Sequence, residues 1–202
     1  MIAVIDYGVG NLFSLTSSLA AVGAESVVTD DPCVIGVADK IILPGVGAFA
    51  DAKRKLSDRG LDKIIISEVK SGKKILGICL GMQMLFEKSY EYGEHEGLSL
   101  LKGSVVAMDG VIPKELRIPH IGWNALHIKK EHPIFKYVKE EDYVYFVHSF
   151  YASGCEESLL ASCEYGKELT AAVALDNVSG TQFHPEKSGE VGLSILRAFA
   201  EW

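Results

Sequence analysis

The chain has 202 residues, 48% of them hydrophobic, which is enough apolar material to bury the core of one domain. Its formal net charge of −7 argues against a nucleic-acid surface, because such surfaces depend on clustered lysine and arginine. No apolar run reaches the roughly 18 residues of a membrane-spanning helix, and the first six residues lack the basic start of a secretory signal. We therefore expect one cytoplasmic domain over residues 1–202.

The first half of the chain alternates short apolar runs with stretches of helical periodicity. This pattern is typical of strand and helix units that build a parallel sheet. The predicted elements, in chain order, are a strand over 2–5, a helix over 12–22, strands over 26–29 and 40–43, helices over 49–60 and 61–69, a strand over 74–78 and a helix over 80–87.

After Gly97 the runs become β-branched and aromatic and are bounded by glycine, proline and charged turns, which indicates antiparallel hairpins. The predicted strands cover 104–108, 123–128, 143–151, 159–164, 170–175 and 178–183, and a last helix covers 190–201. The expected fold class is therefore α/β. It has a central, mostly parallel sheet flanked by helices and an antiparallel β-rich extension in the second half.

A cysteine lies where a predicted buried strand turns into a helix, within the Gly-x-Cys-x-Gly pattern of residues 77–81. A nucleophile on such a turn has a strained backbone, and neighbouring backbone packs so closely around it that small flanking residues are needed. The start of the following helix favours a thiolate, and the N–H of Leu80 can donate to an oxyanion. Buried cysteines are common, but an ordinary one needs neither glycine. We therefore predict that Cys79 is a nucleophile.

The other cysteines, Cys33, Cys155 and Cys163, lack this context and are expected to be ordinary buried thiols. No Cys-x-x-Cys or His-x-x-x-His pair is present, so we expect neither a disulfide framework nor a metal site. No cofactor is expected.

A cysteine nucleophile needs a base, and His184 is distinguished from the five other histidines by its neighbours. In His184-Pro185-Glu186 the proline favours an extended backbone, so the side chains of His184 and Glu186 project to the same side. Glu186 can then orient the imidazole, as in a catalytic triad. His120 and His148 have apolar or aromatic neighbours; they are either satisfied buried histidines or part of a substrate pocket.

Two glycine loops follow the first and third predicted strands, Gly8-x-Gly10 and Gly45-x-Gly47. The first resembles a dinucleotide fingerprint with acidic residues about 20 positions later, but Phe13 replaces the third glycine. The second has the better spacing but follows the wrong strand. We prefer Val46 and Gly47 as the second half of an oxyanion hole, because this loop also leaves a strand of the same sheet.

Together these motifs resemble the class I, triad-type glutamine amidotransferases, whose hallmarks are the cysteine turn and a downstream His-Pro-Glu. Within that family, the chain looks like the glutaminase subunits of imidazole glycerol phosphate synthases. The blocks that carry this resemblance span almost the whole chain: residues 5–12, 43–49, 77–83, 119–124, 145–149 and 182–188.

The resemblance implies that glutamine is hydrolysed to glutamate and that the ammonia passes to a separate cyclase subunit in histidine biosynthesis. It implies a triad of Cys79, His184 and Glu186, and an oxyanion hole formed by Val46, Gly47 and Leu80. The implied glutamine-binding residues are Gly45, Gln83, His148, Ser149 and Phe150. Family members often have Thr-Tyr at positions 149 and 150, so backbone contacts are expected there.

The positions of their motifs suggest that Asn11, Trp123 and Lys187 face the cyclase in a heterodimer. Two alternatives stay open. The chain can be the glutaminase of another complex, such as those that make pyridoxal phosphate, anthranilate or carbamoyl phosphate, although the block over 119–124 argues against this. It can also be a silent, flavodoxin-like module that binds a nucleotide through its glycine loops.

Overall fold

A computed structural model describes all of residues 1–202. It contains three sheets and six α-helices, with short 3₁₀ turns at Pro133–Phe135 and Pro185–Lys187. In chain order the elements are β1 Ile2–Ile5, α1 Leu12–Ala21, β2 Ser26–Thr29, α2 Pro32–Val37, β3 Lys40–Leu43, α3 Phe49–Asp58, α4 Leu61–Lys70, β4 Lys74–Ile78, α5 Leu80–Met84, β5 Lys88–Ser89, β6 His95–Glu96, β7 Ser104–Ala107, β8 His120–Ala125, β9 His127–Ile128, β10 Tyr143–His148, β11 Phe150–Ser153, β12 Leu159–Glu164, β13 Glu168–Leu175, β14 Val178–Thr181 and α6 Gly189–Glu201.

The central sheet has eight strands in the order β2-β1-β3-β4-β14-β13-β12-β9. The first five run parallel and the other three are antiparallel to their neighbours. Strands β1, β3 and β4 read as nearly continuous apolar runs because helices cover both faces of a parallel sheet. The predicted fold class is confirmed.

The hydrophobic core lies on the two faces of this sheet. One face packs against α1 and α6 through side chains that include Leu15, Leu19 and Phe199. The other packs against α2, α3 and α4 through side chains that include Ile35 and Leu56. No helix is both long enough and apolar enough to cross a bilayer.

The chain also forms two smaller sheets. Strands β8 and β10 form an antiparallel ribbon, and β11, β7, β5 and β6 form a four-stranded sheet. The predicted single strand over 143–151 is therefore wrong, because the chain changes sheet at Ser149. The sequence is rich in aromatic and apolar residues on both sides of Ser149, so composition cannot reveal that the pairing partner changes.

Other elements also differ from the prediction, and the strand predicted over 178–183 ends at Thr181. The helix predicted over 80–87 ends at Met84, since the next residues turn towards the short strand β5. The strand predicted over 123–128 begins at His120 and is interrupted at Leu126. Helix α2 was not predicted; Asp31 caps it by accepting a hydrogen bond from the Cys33 N–H. Cys33 is exposed there, so the expectation that it is buried was wrong.

Candidate active site

The nucleophile candidate lies on a sharp turn between β4 and α5. Cys79 has a φ of 54° and a ψ of −112°, a backbone conformation that residues other than glycine rarely adopt. Only 8% of its surface is exposed. Glycine is required on either side. A Cβ on Gly77 would lie 2.7 Å from the backbone of Met82, and one on Gly81 would overlap the carbonyl oxygen of Leu43. The structure thus contains the turn that the Gly-x-Cys-x-Gly pattern predicts.

The base candidate leaves the neighbouring strand at the same edge of the sheet. Strands β4 and β14 run parallel, and the Cys79 N–H donates to the Thr181 carbonyl at 2.7 Å, one step beyond the last paired residues. His184 follows β14, and its N–H donates to the Tyr145 carbonyl at 3.0 Å. The carboxyl ends of adjacent parallel strands therefore bring the sulfur and the imidazole together.

Glu186 orients the imidazole. Its Oε1 lies 2.8 Å from His184 Nδ1, and both side chains are almost fully buried. This contact makes Nδ1 the protonated nitrogen and leaves Nε2 for the thiol. Burial favours the neutral ring, but hydrogen bonds and charge attraction from the Cys79 thiolate and the Glu186 carboxylate raise the pKa of His184 to about 9. A protonated imidazole beside a thiolate can deliver a proton to a leaving group.

Two of the three triad candidates, Cys79 and His184, border a cavity of about 380 Å³ on the surface of the molecule, a size that suits a small ligand, whereas Glu186 lies behind His184 and does not line it. Most of the other predicted site residues line it, namely Val46, Gly47, Leu80, Gln83, His148, Ser149, Phe150 and Lys187. Gly45 does not. A Cβ on Gly45 would lie 2.7 Å from the Gly81 N, so Gly45 allows its loop to pack against α5.

Glu91 is a cavity residue that sequence reasoning missed. Its Oε2 accepts a hydrogen bond from the Phe49 N–H at 2.6 Å, at the start of α3, where no neighbouring side chain caps the helix. It is the one carboxylate among the lining residues. The sequence offers no strong signal for this role, because the segment 90–96 reads as a polar loop.

His120 and His148 form a buried pair. Nδ1 of His120 lies 3.1 Å from Nε2 of His148, and Nδ1 of His148 donates to the Phe150 carbonyl at 2.8 Å. Burial lowers the pKa of each to about 4, so both are neutral at pH 7. His148 also borders the cavity. Thus His120 is a satisfied buried histidine, whereas His148 is both satisfied and part of the pocket wall.

The loop over 44–47 is held by the first glycine loop. The Tyr7 hydroxyl donates to the Pro44 carbonyl at 2.7 Å, and burial raises the pKa of that hydroxyl. Gly10 packs against Pro44, where an added Cβ would lie 3.3 Å from the proline ring. The loop that resembled half of a dinucleotide fingerprint therefore supports the loop beside Cys79.

The three predicted partner contacts lie around the triad. Trp123 is 54% exposed, and its ring lies 6.1 Å from that of Tyr145, over which the Lys187 ammonium lies at 6.0 Å. On the other side, Asn11 caps α1 and borders a space of about 10 Å³ beside Glu186. No group of three or more His, Cys, Asp or Glu side chains is arranged to hold a metal ion.

Comparison with known proteins gives concordant results. The profile of the family described as glutamine amidotransferase class-I matches residues 3–201. A curated relative from Caldanaerobacter subterraneus subsp. tengcongensis, named imidazole glycerol phosphate synthase subunit HisH, is 52% identical over 202 residues, which are 100% of this chain and 98% of the relative. A relative of the same name from Aquifex aeolicus is 50% identical over 198 residues, covering 97% of this chain and 94% of its own.

Solved structures share the fold at low identity. One described as a glutamine amidotransferase has a TM-score of 0.77, with 17% identity and full coverage of both chains. A chain of PurLQS from Thermotoga maritima has a TM-score of 0.75, with 22% identity, covering 99% of this chain and 97% of that one. The family profile spans nearly every residue, and full-length relatives share about half of the sequence. The chain therefore belongs to the class I glutamine amidotransferase family.

Proposed function

We propose that this chain hydrolyses glutamine to glutamate and ammonia, as the glutaminase subunit of an imidazole glycerol phosphate synthase. The observation that carries the proposal is that Cys79, on its strained turn, and His184, which Glu186 orients, border one cavity. The full-length relatives are named as subunits of imidazole glycerol phosphate synthase, which supports this choice of assembly. We further propose that residues 1–202 act as one cytoplasmic domain.

The reaction follows from the positions of the three side chains. The Cys79 sulfur attacks the side-chain amide carbon of glutamine, and the carbonyl oxygen becomes an oxyanion. The tetrahedral intermediate collapses as His184 gives its proton to the departing nitrogen, which releases ammonia and leaves a thioester. His184 then takes a proton from water, the hydroxide oxygen attacks the thioester, and glutamate leaves with restoration of the thiolate–imidazolium pair. Glu186 orients His184 in both halves.

The oxyanion needs two donors. The N–H of Leu80 is one, because it is the first residue of α5 and has no partner within its own helix. The second comes from the loop that contains Val46 and Gly47. Gly47 has a φ of 95°, in the region that glycine tolerates, so this loop can change the direction of a peptide N–H at little cost.

The far end of the cavity is suited to the amino-acid end of glutamine. The Glu91 carboxylate and the Gln83 amide both line the cavity, and Glu91 is available to the substrate ammonium group. Ser149 and Phe150 line the same wall through the bend between β10 and β11, with His148 at the end of β10. Gly45 contributes indirectly, by letting the neighbouring loop approach α5.

We propose that the partner is a cyclase subunit that uses the ammonia to form imidazole glycerol phosphate and AICAR in histidine biosynthesis. It would dock on the surface around the triad that carries Asn11, Trp123 and Lys187. Glutaminase turnover of the isolated chain should be weak, since ammonia made without an acceptor is wasted.

The Cys79→Ala variant tests the division of labour between the subunits. In the complex it should abolish glutamine-dependent synthesis and leave synthesis from added ammonia intact, because the acceptor chemistry belongs to the partner. Equal loss of both activities would contradict the proposal. Mixing the wild-type chain with synthases for pyridoxal phosphate, anthranilate or carbamoyl phosphate tests the choice of partner. If one of these synthases forms its product from glutamine, that synthase is the partner and the cyclase is not.

A further inference from the structure

A buried amide beside the nucleophile has no part in the mechanism described above. Gln182 is fully buried, and its backbone N–H donates to the Ala171 carbonyl at 2.8 Å, which ties it to β13. Its side-chain Nε2 lies 3.7 Å from the Cys79 sulfur, and its Oε1 accepts a hydrogen bond from Gln83 Nε2 at 3.0 Å. Gln182 thus contacts both the nucleophile and a residue of the proposed glutamine pocket.

The direction of these hydrogen bonds is set by one carbonyl group. The Phe150 carbonyl can only accept, so the Gln83 atom at 3.1 Å from it must be the nitrogen Nε2. The same NH₂ group reaches Gln182, so the facing Gln182 atom must be the oxygen. The Gln182 nitrogen is then left facing the Cys79 sulfur. Reversing either amide would place two donors or two acceptors against each other inside the protein.

We propose that Gln182 is a positioning residue that donates a hydrogen bond to the Cys79 thiolate and couples it to recognition of glutamine by Gln83. The inference deepens the proposed function and rests on it. Both N–H groups of Gln83 are engaged within the chain, so its Oε1 is the group that accepts from the ammonium end of the substrate. A hydrogen bond between the substrate and Gln83 is therefore linked to the sulfur through buried hydrogen bonds, from Gln83 to Gln182 and from Gln182 to Cys79.

The effect on the sulfur follows from simple electrostatics. A thiolate is a better hydrogen-bond acceptor than a thiol, so a fixed N–H donor favours the ionised form. The donor also restrains the sulfur on its strained turn. Gln182 therefore acts before the substrate carbon is attacked, by keeping the thiolate populated and correctly placed.

The test compares the reactivity of the sulfur with glutamine kinetics in Gln182→Met, a variant of similar volume without donor or acceptor. In a Cys33→Ser background, which removes the exposed thiol, the rate of Cys79 alkylation by iodoacetamide is followed against pH. We expect alkylation at pH 7 about tenfold slower, with the profile displaced to higher pH. In the complex with the partner, KM for glutamine should rise and kcat should fall.

Gln182→Glu provides a second variant of the same shape. Its carboxylate still accepts from Gln83 but places negative charge beside the sulfur, so the alkylation profile should move further than in Gln182→Met. Ser179→Ala is the matched control, because Ser179 lies in β14, the strand that leads into Gln182, and the substitution removes a buried hydrogen bond to the Ile75 carbonyl. It should lower the melting temperature and leave the alkylation profile unchanged.

The inference is overturned if the alkylation profiles of both Gln182 variants superimpose on that of the wild type. Such a result, together with loss of glutamine hydrolysis in Cys79→Ala, would reject the positioning role of Gln182 but would still support the proposed function. If the wild-type complex does not hydrolyse glutamine, the proposed function fails instead. The iodoacetamide profile then still decides whether Gln182 donates to the sulfur, because it requires no substrate.

Discussion

At the scale of single residues, the charge of His184 depends on its two neighbours. Burial by itself would keep the ring neutral, and the thiolate and Glu186 reverse that preference and raise the pKa to about 9. Oε1 of Glu186 is hydrogen-bonded to the imidazole. The other carboxylate oxygen, Oε2, is buried and has no hydrogen-bond partner. The carboxylate therefore has its main interaction with His184 and little else to compensate its burial.

Replacing Glu186 by Gln should lower the pKa of His184. The neutral amide no longer attracts the proton, whereas burial continues to disfavour the charged ring. The high-pH limb of kcat, where the imidazolium is lost, should move to lower pH, and glutaminase activity should fall by about 10²- to 10⁴-fold. NMR titration of the imidazole and the pH profile of the complex measure the two effects.

Glu190→Gln is the control for this variant, because Glu190 is an exposed carboxylate in the first turn of α6. It should leave both the titration and the pH profile unchanged. A Glu186→Gln enzyme with the wild-type imidazole titration would show that the carboxylate does not hold the proton.

At the scale of secondary-structure elements, the turn at Cys79 depends on backbone packed against backbone. Gly81 lies in α5 directly against the end of β3, and Gly45, in the loop that follows β3, lies against α5 in turn. These contacts bring the start of α5 and the proposed oxyanion loop to the same point. The glycines are thus required by the distance between the elements, and of the residues in this contact only Cys79 has a positive φ.

The Gly81→Ala substitution should destabilise the fold strongly, since its methyl group would overlap the Leu43 carbonyl oxygen, which cannot move without displacing β3. We expect a loss of about 3 kcal/mol or more in the free energy of unfolding, measured with urea. Gly36→Ala in α2 is the control. Its Cβ has no neighbour closer than 4.0 Å, so a gain of about 0.5 to 1 kcal/mol is expected. Equal stability of the two variants would contradict this explanation.

At the scale of the whole molecule, the site and the proposed docking surface share the carboxyl edge of the parallel strands. The turn after β4, the segment after β14 and the loop after β3 all leave the sheet there. The β8–β10 ribbon adds exposed Ile121 and Trp123 beside them. Exposed apolar side chains next to a reactive cavity are what a partner that receives a product would cover.

Trp123→Ala should weaken binding of the cyclase subunit by about tenfold or more, because large aromatic side chains carry much of the energy of an interface. Titration calorimetry measures the affinity, and the ratio of product to hydrolysed glutamine measures the coupling. Val37→Ala is the matched control. Val37 is 77% exposed but ends α2, which leads into the start of β3 at the opposite edge of the sheet. Unchanged affinity and coupling in Trp123→Ala would remove this residue from the interface.

The chain's local patterns were sufficient for the parallel strands of the first half of the chain and for naming the three triad candidates. The strands over 2–5, 26–29, 40–43 and 74–78 have the predicted bounds. Strands that are buried on both faces, and glycines that flank a strained cysteine, can be recognised from residues that are close together in the sequence. Such features depend on steric contacts between residues close in the sequence, and residue types alone determine these contacts. The side chains of His184 and Glu186 do meet, but through a 3₁₀ turn at Pro185–Lys187, so the extended backbone predicted between them was wrong.

Tertiary structure alone decided which distant segments meet. It placed β14 beside β4, moved the chain between sheets at Ser149, brought Glu91 to the start of α3 and set Gln182 against the sulfur. These choices depend on how strands pair and how loops cover a shared edge, and the same local pattern is compatible with several partners. The sequence by itself therefore determined the reactive groups, whereas packing between remote elements determined the cavity in which they can act.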